Sequence, residues 1–112
     1  MGKQNNIFKM ELLVLSVLNQ NTCYGYEITT TIKQLSSGIF DDIKEGTLYP
    51  ILYNLVENKY VESYNKIVNN RVRVYYKLTD EGQAYFENQA NIFLENIEII
   101  QEIVKRGLSR NE

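Results

Sequence analysis

The hydrophobic pattern divides the chain into four helical segments and one hairpin. Residues 7–19 crowd Leu12, Leu13, Leu15, Val17 and Leu18 so closely that they predict a largely buried helix, closed by the polar run Asn19-Gln20-Asn21-Thr22. From Tyr24 to Leu35 the pattern thins. Ile28, Ile32 and Leu35 recur at i, i+4 and i+7 with Thr29, Thr30 and Lys33 on other faces, an amphipathic helix that Ser36-Ser37-Gly38 stops. A third helix is predicted from near Gly46, because Leu48, Ile51, Leu52, Leu55 and Val56 fall at offsets 0, 3, 4, 7 and 8. The sole proline, Pro50, comes four residues after Gly46. There it removes about one backbone bond rather than costing the ~3 kcal/mol of a mid-helix proline, so it marks the helix start.

Between the third and fourth helices the period shifts to two. If Asn69 and Asn70 are the central residues of a type I′ turn, which asparagine tolerates because it accepts positive φ, the pairing register follows. One face pairs Val61 with Leu78, Ser63 with Tyr76, Asn65 with Val74 and Ile67 with Val72, a mostly apolar underside. The other pairs Glu62 with Lys77, Tyr64 with Tyr75 and Lys66 with Arg73. Two cations directly opposite each other disfavour a free hairpin slightly, which points to a partner that supplies negative charge; a solvated ribbon face is the plainer alternative.

The last helix opens with Thr79 as N-cap and Asp80 and Glu81 in its first turn, and is expected to close with Lys105-Arg106 and a C-cap Gly107. At roughly 27 residues it would run about 40 Å. Phe86, Ala90, Phe93, Ile97, Ile100 and Val104 are spaced 4, 3, 4, 3 and 4, the a/d seam of a coiled coil, and Ile92, Ile99 and Ile103 widen it. The seam can pack on the first helix of its own chain. That helix is only about three turns long, so a second copy is expected to cover the rest.

Composition narrows the function. The chain has 112 residues, no histidine and one cysteine, Cys23. Intrachain disulfides, the usual zinc sites and Ser/His or Cys/His catalytic pairs are therefore excluded, and Cys23 reads as a small buried residue rather than a redox sensor. The expectation is a non-enzyme without metal or cofactor. Asp41, Asp42 and Glu45 form the only close carboxylate group before the last helix and read as a solvated loop. No run is long and apolar enough for a membrane span and the start MGKQNNIF lacks a signal-peptide pattern, so a cytoplasmic protein of about one domain is expected.

The net charge of −2 conceals an asymmetry. Residues 1–78 carry nine Lys and Arg against seven Asp and Glu, and residues 79–112 three against seven. Within 59–77, Lys59, Lys66, Arg71, Arg73 and Lys77 face only Glu62, a local +4 that would meet a polyanion.

Helix, turn, helix and basic hairpin in this order predict a mainly α (α+β) winged helix-turn-helix, with residues 1–78 binding double-stranded DNA and 79–112 forming a coiled-coil-like dimerisation helix. The outer face of the third helix carries Gly46, Pro50, Tyr53, Asn54 and Glu57, flanked by Thr47 and Tyr49. Thr47 and Asn54 suit base edges, and Tyr49 and Tyr53 suit phosphates. Since this helix has no Lys or Arg before Lys59, affinity would rest on Lys66, Arg71 and Arg73, assisted by Lys33 and by Lys3 or Lys9. The competing reading is a winged helix used as a protein-interaction module, which would tolerate the acidic total.

Three motifs along nearly the whole chain resemble the PadR-like transcriptional regulators. Tyr24-Gly25-Tyr26-Glu27 is similar to the family's HGYE, Glu45-Gly46-Thr47-Leu48-Tyr49-Pro50 to its PGTLYP, and Arg73 through Gly82 to its RKYYxLTxxG. Tyr24 departs from a frequent histidine and Val74 from a frequent lysine. The resemblance implies a dimeric, ligand-responsive repressor on a palindromic operator, of the smaller subgroup with one C-terminal helix. It also implies a flat aromatic effector held at the dimer centre, with Phe93 matching a sandwiching tryptophan and Phe8, Met10 and Ala90 as neighbours; plain core packing is the alternative for these residues.

Overall fold

The computed structural model describes residues 8–109. Its elements are α1 (Met10–Gln20), β1 (Cys23–Tyr24), α2 (Gly25–Leu35), α3 (Glu45–Glu57), β2 (Val61–Val68), β3 (Arg71–Leu78) and α4 (Asp80–Leu108). The apolar stripes meet as the spacing requires. Val14, Leu15, Val17 and Leu18 of α1, Ile28 and Ile32 of α2, and Leu48, Leu52 and Leu55 of α3 are all buried, closed by Cys23, Ile43 and Val61. Each large aliphatic side chain so removed from water stabilises the fold by roughly 1.5–3 kcal/mol before conformational entropy is counted. Four helices and a sheet of order β1-β3-β2 make a winged helix-turn-helix with a long C-terminal helix.

The hairpin has the register deduced from its turn. Val61 faces Leu78, Tyr64 faces Tyr75, Lys66 faces Arg73 and Ile67 faces Val72, and Asn69 and Asn70 adopt φ of 52° and 64°. Two features differ. The underside is covered only at its base: Val61 is 2% exposed, whereas Val72 is 65% and Ile67 74% exposed, because β2 and β3 project past the body and none of the described residues covers their far end. The sheet also gains a third strand. Cys23 pairs with Tyr76 and Tyr24 with Tyr75, so Tyr24 belongs to a strand rather than to the helix it was expected to open. Two residues are too few to leave a period of two in the sequence. Glu27 marks the true helix start, accepting the Tyr24 backbone N–H at 3.1 Å.

Helix α1 begins at Met10 and runs to Gln20, later than the expected 7–19 at both ends; residue 7 lies outside the described residues. In α2, Leu35 is exposed although it shares the stripe of Ile28 and Ile32, since the helix ends there and the chain turns away through residues 36–42.

The junction between α3 and β2 fixes where α4 starts. Lys59 takes φ of 65°, its N–H donates to Val56 O, and the Tyr60 N–H reaches back to Leu55 O, the paired bonds of a Schellman C-cap. Thr79 then caps α4: its Oγ1 accepts from Gly82 N–H at 2.9 Å and donates to Lys59 O at 2.7 Å. A Cβ on Gly82 would lie 1.8 Å from Tyr60 O, so only glycine fits this crossing. One turn later the Tyr85 ring stacks on Tyr60 at 4.1 Å and its hydroxyl donates to Glu11 Oε1 at 2.8 Å, tying α4 to α1.

Past Ile97 α4 leaves the body, and every described residue from Glu98 on is exposed. It spans 29 residues to Leu108 with Ser109 as C-cap, so Gly107 lies inside the last turn and not after it. No described side chain lies within 4 Å of a Cβ built there, and the helical bonding runs on past it, Ser109 N–H bonding Lys105 O. The radius of gyration, 17.1 Å, exceeds the ~13 Å of a compact chain of about this length because of the projecting helix. No helix among the described residues is long and apolar enough to cross a membrane.

Candidate nucleic-acid interface

Burial of Leu48, Leu52 and Leu55 forces the opposite side of α3 outward. Thr47, Tyr53 and Asn54 are all exposed there, with Gly46, Pro50 and Glu57. Tyr49 is exposed too, but its ring lies across the start of α2: a Cβ on Gly25 would meet its Oη at 2.7 Å and its Cζ at 3.2 Å. The glycine of one sequence motif thus makes room for the tyrosine of another. Burial pushes the Tyr76 phenol up, and neighbouring Tyr49 adds to the shift.

Tyr49 also reaches the wing. A cleft of about 540 Å³ is lined by Tyr24, Tyr26, Tyr49, Arg71, Arg73 and Tyr76, so the start of α3 and two wing cations border one space. A second cleft, of about 470 Å³, joins Lys33 and Tyr26 of α2 to Lys44 and Glu45 at the start of α3. Lys9 is exposed at the N-cap of α1, and Lys3 lies outside the described residues. Lys44, Tyr24 and Tyr26 were absent from the sequence-based site. Lys44 is legible as an exposed cation just ahead of Gly46, whereas the tyrosines needed the short strand to place them.

On the upper face of the wing, Lys66 and Arg73 occupy opposite positions, each set over an aromatic ring. Arg73 Cζ sits 4.4 Å from the centroid of the Tyr24 ring, and Lys66 Nζ 5.4 Å from that of Tyr75. Negative ring faces therefore offset the repulsion that the register alone implies, and the facing cations do not by themselves demand an anionic partner. Arg71 is exposed at the tip.

The seam of α4 divides into two parts. Phe86 packs against the core, and Ala90, Phe93 and Ile97 are half-buried, whereas Ile100 and Val104 are exposed along with Ile92, Ile99 and Ile103. Of the residues proposed around an aromatic effector, Phe8 and Phe93 meet edge to face at 6.3 Å, and Phe8 stacks on Phe40 at 5.6 Å. Met10 packs against the core instead. The crevice beside Phe93, lined also by Lys9, Leu12, Gln89, Ile92 and Asn96, holds about 120 Å³, below the ~300–1,000 Å³ of a drug-sized site. Cys23 is buried; desolvation, and then Glu27, push its thiol up, which favours the protonated form.

The chain is similar to known proteins in sequence and fold. The model of the transcriptional regulator PadR-like family matches residues 14–88. A Streptococcus mutans protein of solved structure is 32% identical, with 100% of both chains covered and a TM-score of 0.76. A PadR family transcription regulator from hypervirulent Clostridium difficile is 25% identical over 89% of this chain and 99% of its own, with a TM-score of 0.73. Bacillus subtilis PadR, solved in complex with operator DNA, is 25% identical over 70% of this chain and 45% of its own, with a TM-score of 0.63. With helix-turn-helix, wing and long terminal helix all present, and with a family match from the first helix into the start of the last, the chain belongs to the PadR-like family of transcriptional regulators.

Proposed function

We propose that this regulator is a repressor that binds a palindromic DNA operator as a homodimer, each protomer placing α3 in the major groove and its wing along the backbone. The observation that carries the reading is the cleft shared by Tyr49 of α3 and by Arg71 and Arg73 of β3, which borders both a reading helix without Lys or Arg and a basic arm. Thr47 and Asn54 contact base edges, Tyr53 reaches phosphate, and Tyr49 combines a phosphate contact with its packing on Gly25. Lys33, Lys66, Arg71 and Arg73 supply the electrostatic attraction. Operator binding by Bacillus subtilis PadR supports this assignment.

Residues 1–78 form the DNA-binding part and 79–112 the dimerisation part. Two copies meet along Phe86, Ala90, Phe93, Ile97, Ile100 and Val104, which covers the isoleucines that α4 leaves in water. A flat aromatic effector binds near Phe8, Met10, Ala90 and Phe93 and alters the dimer, which releases the operator. The 120 Å³ crevice of one protomer is too small for it, so the partner completes the pocket.

Fluorescence anisotropy against the duplex upstream of the protein's own gene, with a scrambled duplex as competitor at moderate salt, tests the assignment. The expected result is a complex that resists the scrambled competitor and contains two protomers by sedimentation. Equal displacement by both duplexes would favour a protein-interaction module instead.

A further inference from the structure

Three tyrosines lie in one cross-strand row on the upper face of the sheet, because the register sets Tyr24 beside Tyr75 and Tyr75 beside Tyr64. Their ring centroids are 5.5 and 5.9 Å apart, and Tyr26 extends the row from the first turn of α2, 6.5 Å from Tyr24. Arg73 and Lys66 form the next row toward the tip. Each cation leans back diagonally onto a ring one strand nearer β1, Arg73 on Tyr24 and Lys66 on Tyr75. Both are thus combed toward the same edge of the sheet, the edge where Arg73, Tyr24 and Tyr49 border the cleft at the start of α3.

We infer that Tyr24 and Tyr75 are positioning residues for the wing: their ring faces hold the Arg73 and Lys66 head groups on the α3 side before any nucleic acid arrives. This rests on the DNA-binding reading above. Stacking leaves the in-plane N–H donors of a guanidinium free, so Arg73 can lie on Tyr24 and bind a phosphate at once. Less side-chain freedom is then lost on binding, and affinity rises without an added contact. The same geometry gives Tyr24 a function: an aromatic face on β1, set diagonally from Arg73 of β3.

The test is a double-mutant cycle with Tyr24→Leu, Arg73→Ala and their combination, each checked for native circular dichroism and titrated with a duplex over a range of salt. Tyr24→Leu is expected to weaken binding about two- to five-fold per wing, the scale of an exposed cation–π pair. The salt slope should stay unchanged because the cation remains, and the loss should vanish in the Arg73→Ala background. Tyr24→Phe should bind as the parent does. An equal loss with and without Arg73, or a Tyr24→Phe variant as weak as Tyr24→Leu, would overturn the inference. In the free protein, NMR should show ring-current shifts on the Arg73 δ-protons that disappear in Tyr24→Leu; unshifted protons in the parent would overturn it as well. Should the parent bind no duplex, the DNA-binding reading fails, while the NMR measurement still decides the ring and cation pairing.

Discussion

Helix α3 and the wing border one cleft yet are held by opposite means. The helix sinks Leu48, Leu52 and Leu55 to 1% exposure or less, so its outer side chains are displayed at an orientation fixed by the core. The wing is tied to the body through Tyr75, Tyr76 and Leu78 of β3 and parts from it beyond them, and its shape comes from the Asn69-Asn70 turn and from the tyrosines that cross the sheet. Charge is divided the same way: α3 has no Lys or Arg, and the wing has Lys66, Arg71, Arg73 and Lys77. On the proposed reading, rigidity suits an element that reads bases, where small displacements matter, and projection and charge suit one that follows a backbone of uniform chemistry.

The division is broken most directly by stability. Leu52→Ala should cost about 2–5 kcal/mol in urea denaturation, the range for a fully buried leucine. Ile67→Ala, at the wing tip, should lie within about 0.5 kcal/mol of the parent. A comparable loss at Ile67 would mean that the tip is packed and that the two elements are supported alike.

The next largest effect concerns affinity. Replacing Lys66 and Arg73 together by alanine should leave the melting transition in place and weaken binding to every duplex. In the proposed two-fold complex four phosphate contacts are lost. With a dependence of about 0.9 per contact, the logarithmic salt slope should flatten by roughly 3.6 and affinity at about 0.15 M salt should fall on the order of 10²- to 10³-fold. An unaltered slope would remove the wing as the source of electrostatic attraction.

Asn54→Ala should act in the converse way. Binding to the preferred sequence is expected to weaken by about 1–3 kcal/mol, discrimination at the contacted base pair to relax, and the salt slope to remain. A uniform loss on all sequences would make Asn54 a backbone contact and give α3 the role assigned to the wing.

The parts of this arrangement were unequally legible in the sequence. The hairpin register was recoverable because Asn-Asn pins the turn and a period of two then leaves one pairing that separates Val61 and Leu78 from Lys66 and Arg73. The stripe of α3 was recoverable because its offsets repeat at helical spacing. Strand β1 was not, since two residues carry no period and Tyr24 is a strand residue only by virtue of Tyr75 fifty-one positions later. Exposure along the wing was equally hidden: Ile67 and Val61 look alike in the alternation, and only the length of hairpin that outreaches the body separates them. Gly107 misled for a different reason: a glycine ends a helix where it takes a positive φ, and Gly107 keeps the helical conformation. The packing of Tyr49 on Gly25, a contact between two motifs read separately, had no signature beyond their joint presence.

The smallest effect lies in the clamp that carries both elements. Burial, the hydrogen bond to Glu11, its charge and the stacked Tyr60 together push the Tyr85 phenol up to about 12, against about 10 in an unfolded chain. A folded pKa above the unfolded one means that the neutral phenol is the form the fold favours. Its contribution is fully present below about pH 10 and is lost as pH rises toward 12. Tyr85→Phe should therefore be less stable than the parent by about 1 kcal/mol at neutral pH, the worth of one hydrogen bond, and the gap should narrow between about pH 10 and 11 as the parent alone loses this contribution. Tyr76 is also raised and titrates in both proteins, so the difference between them isolates Tyr85. A gap that stays constant through this window would show that the Glu11 bond does not restrain the phenol, and that α4 is held to α1 by apolar packing alone. In every outcome DNA affinity at neutral pH should be unchanged, since the clamp lies outside both α3 and the wing and sets only the body on which they stand.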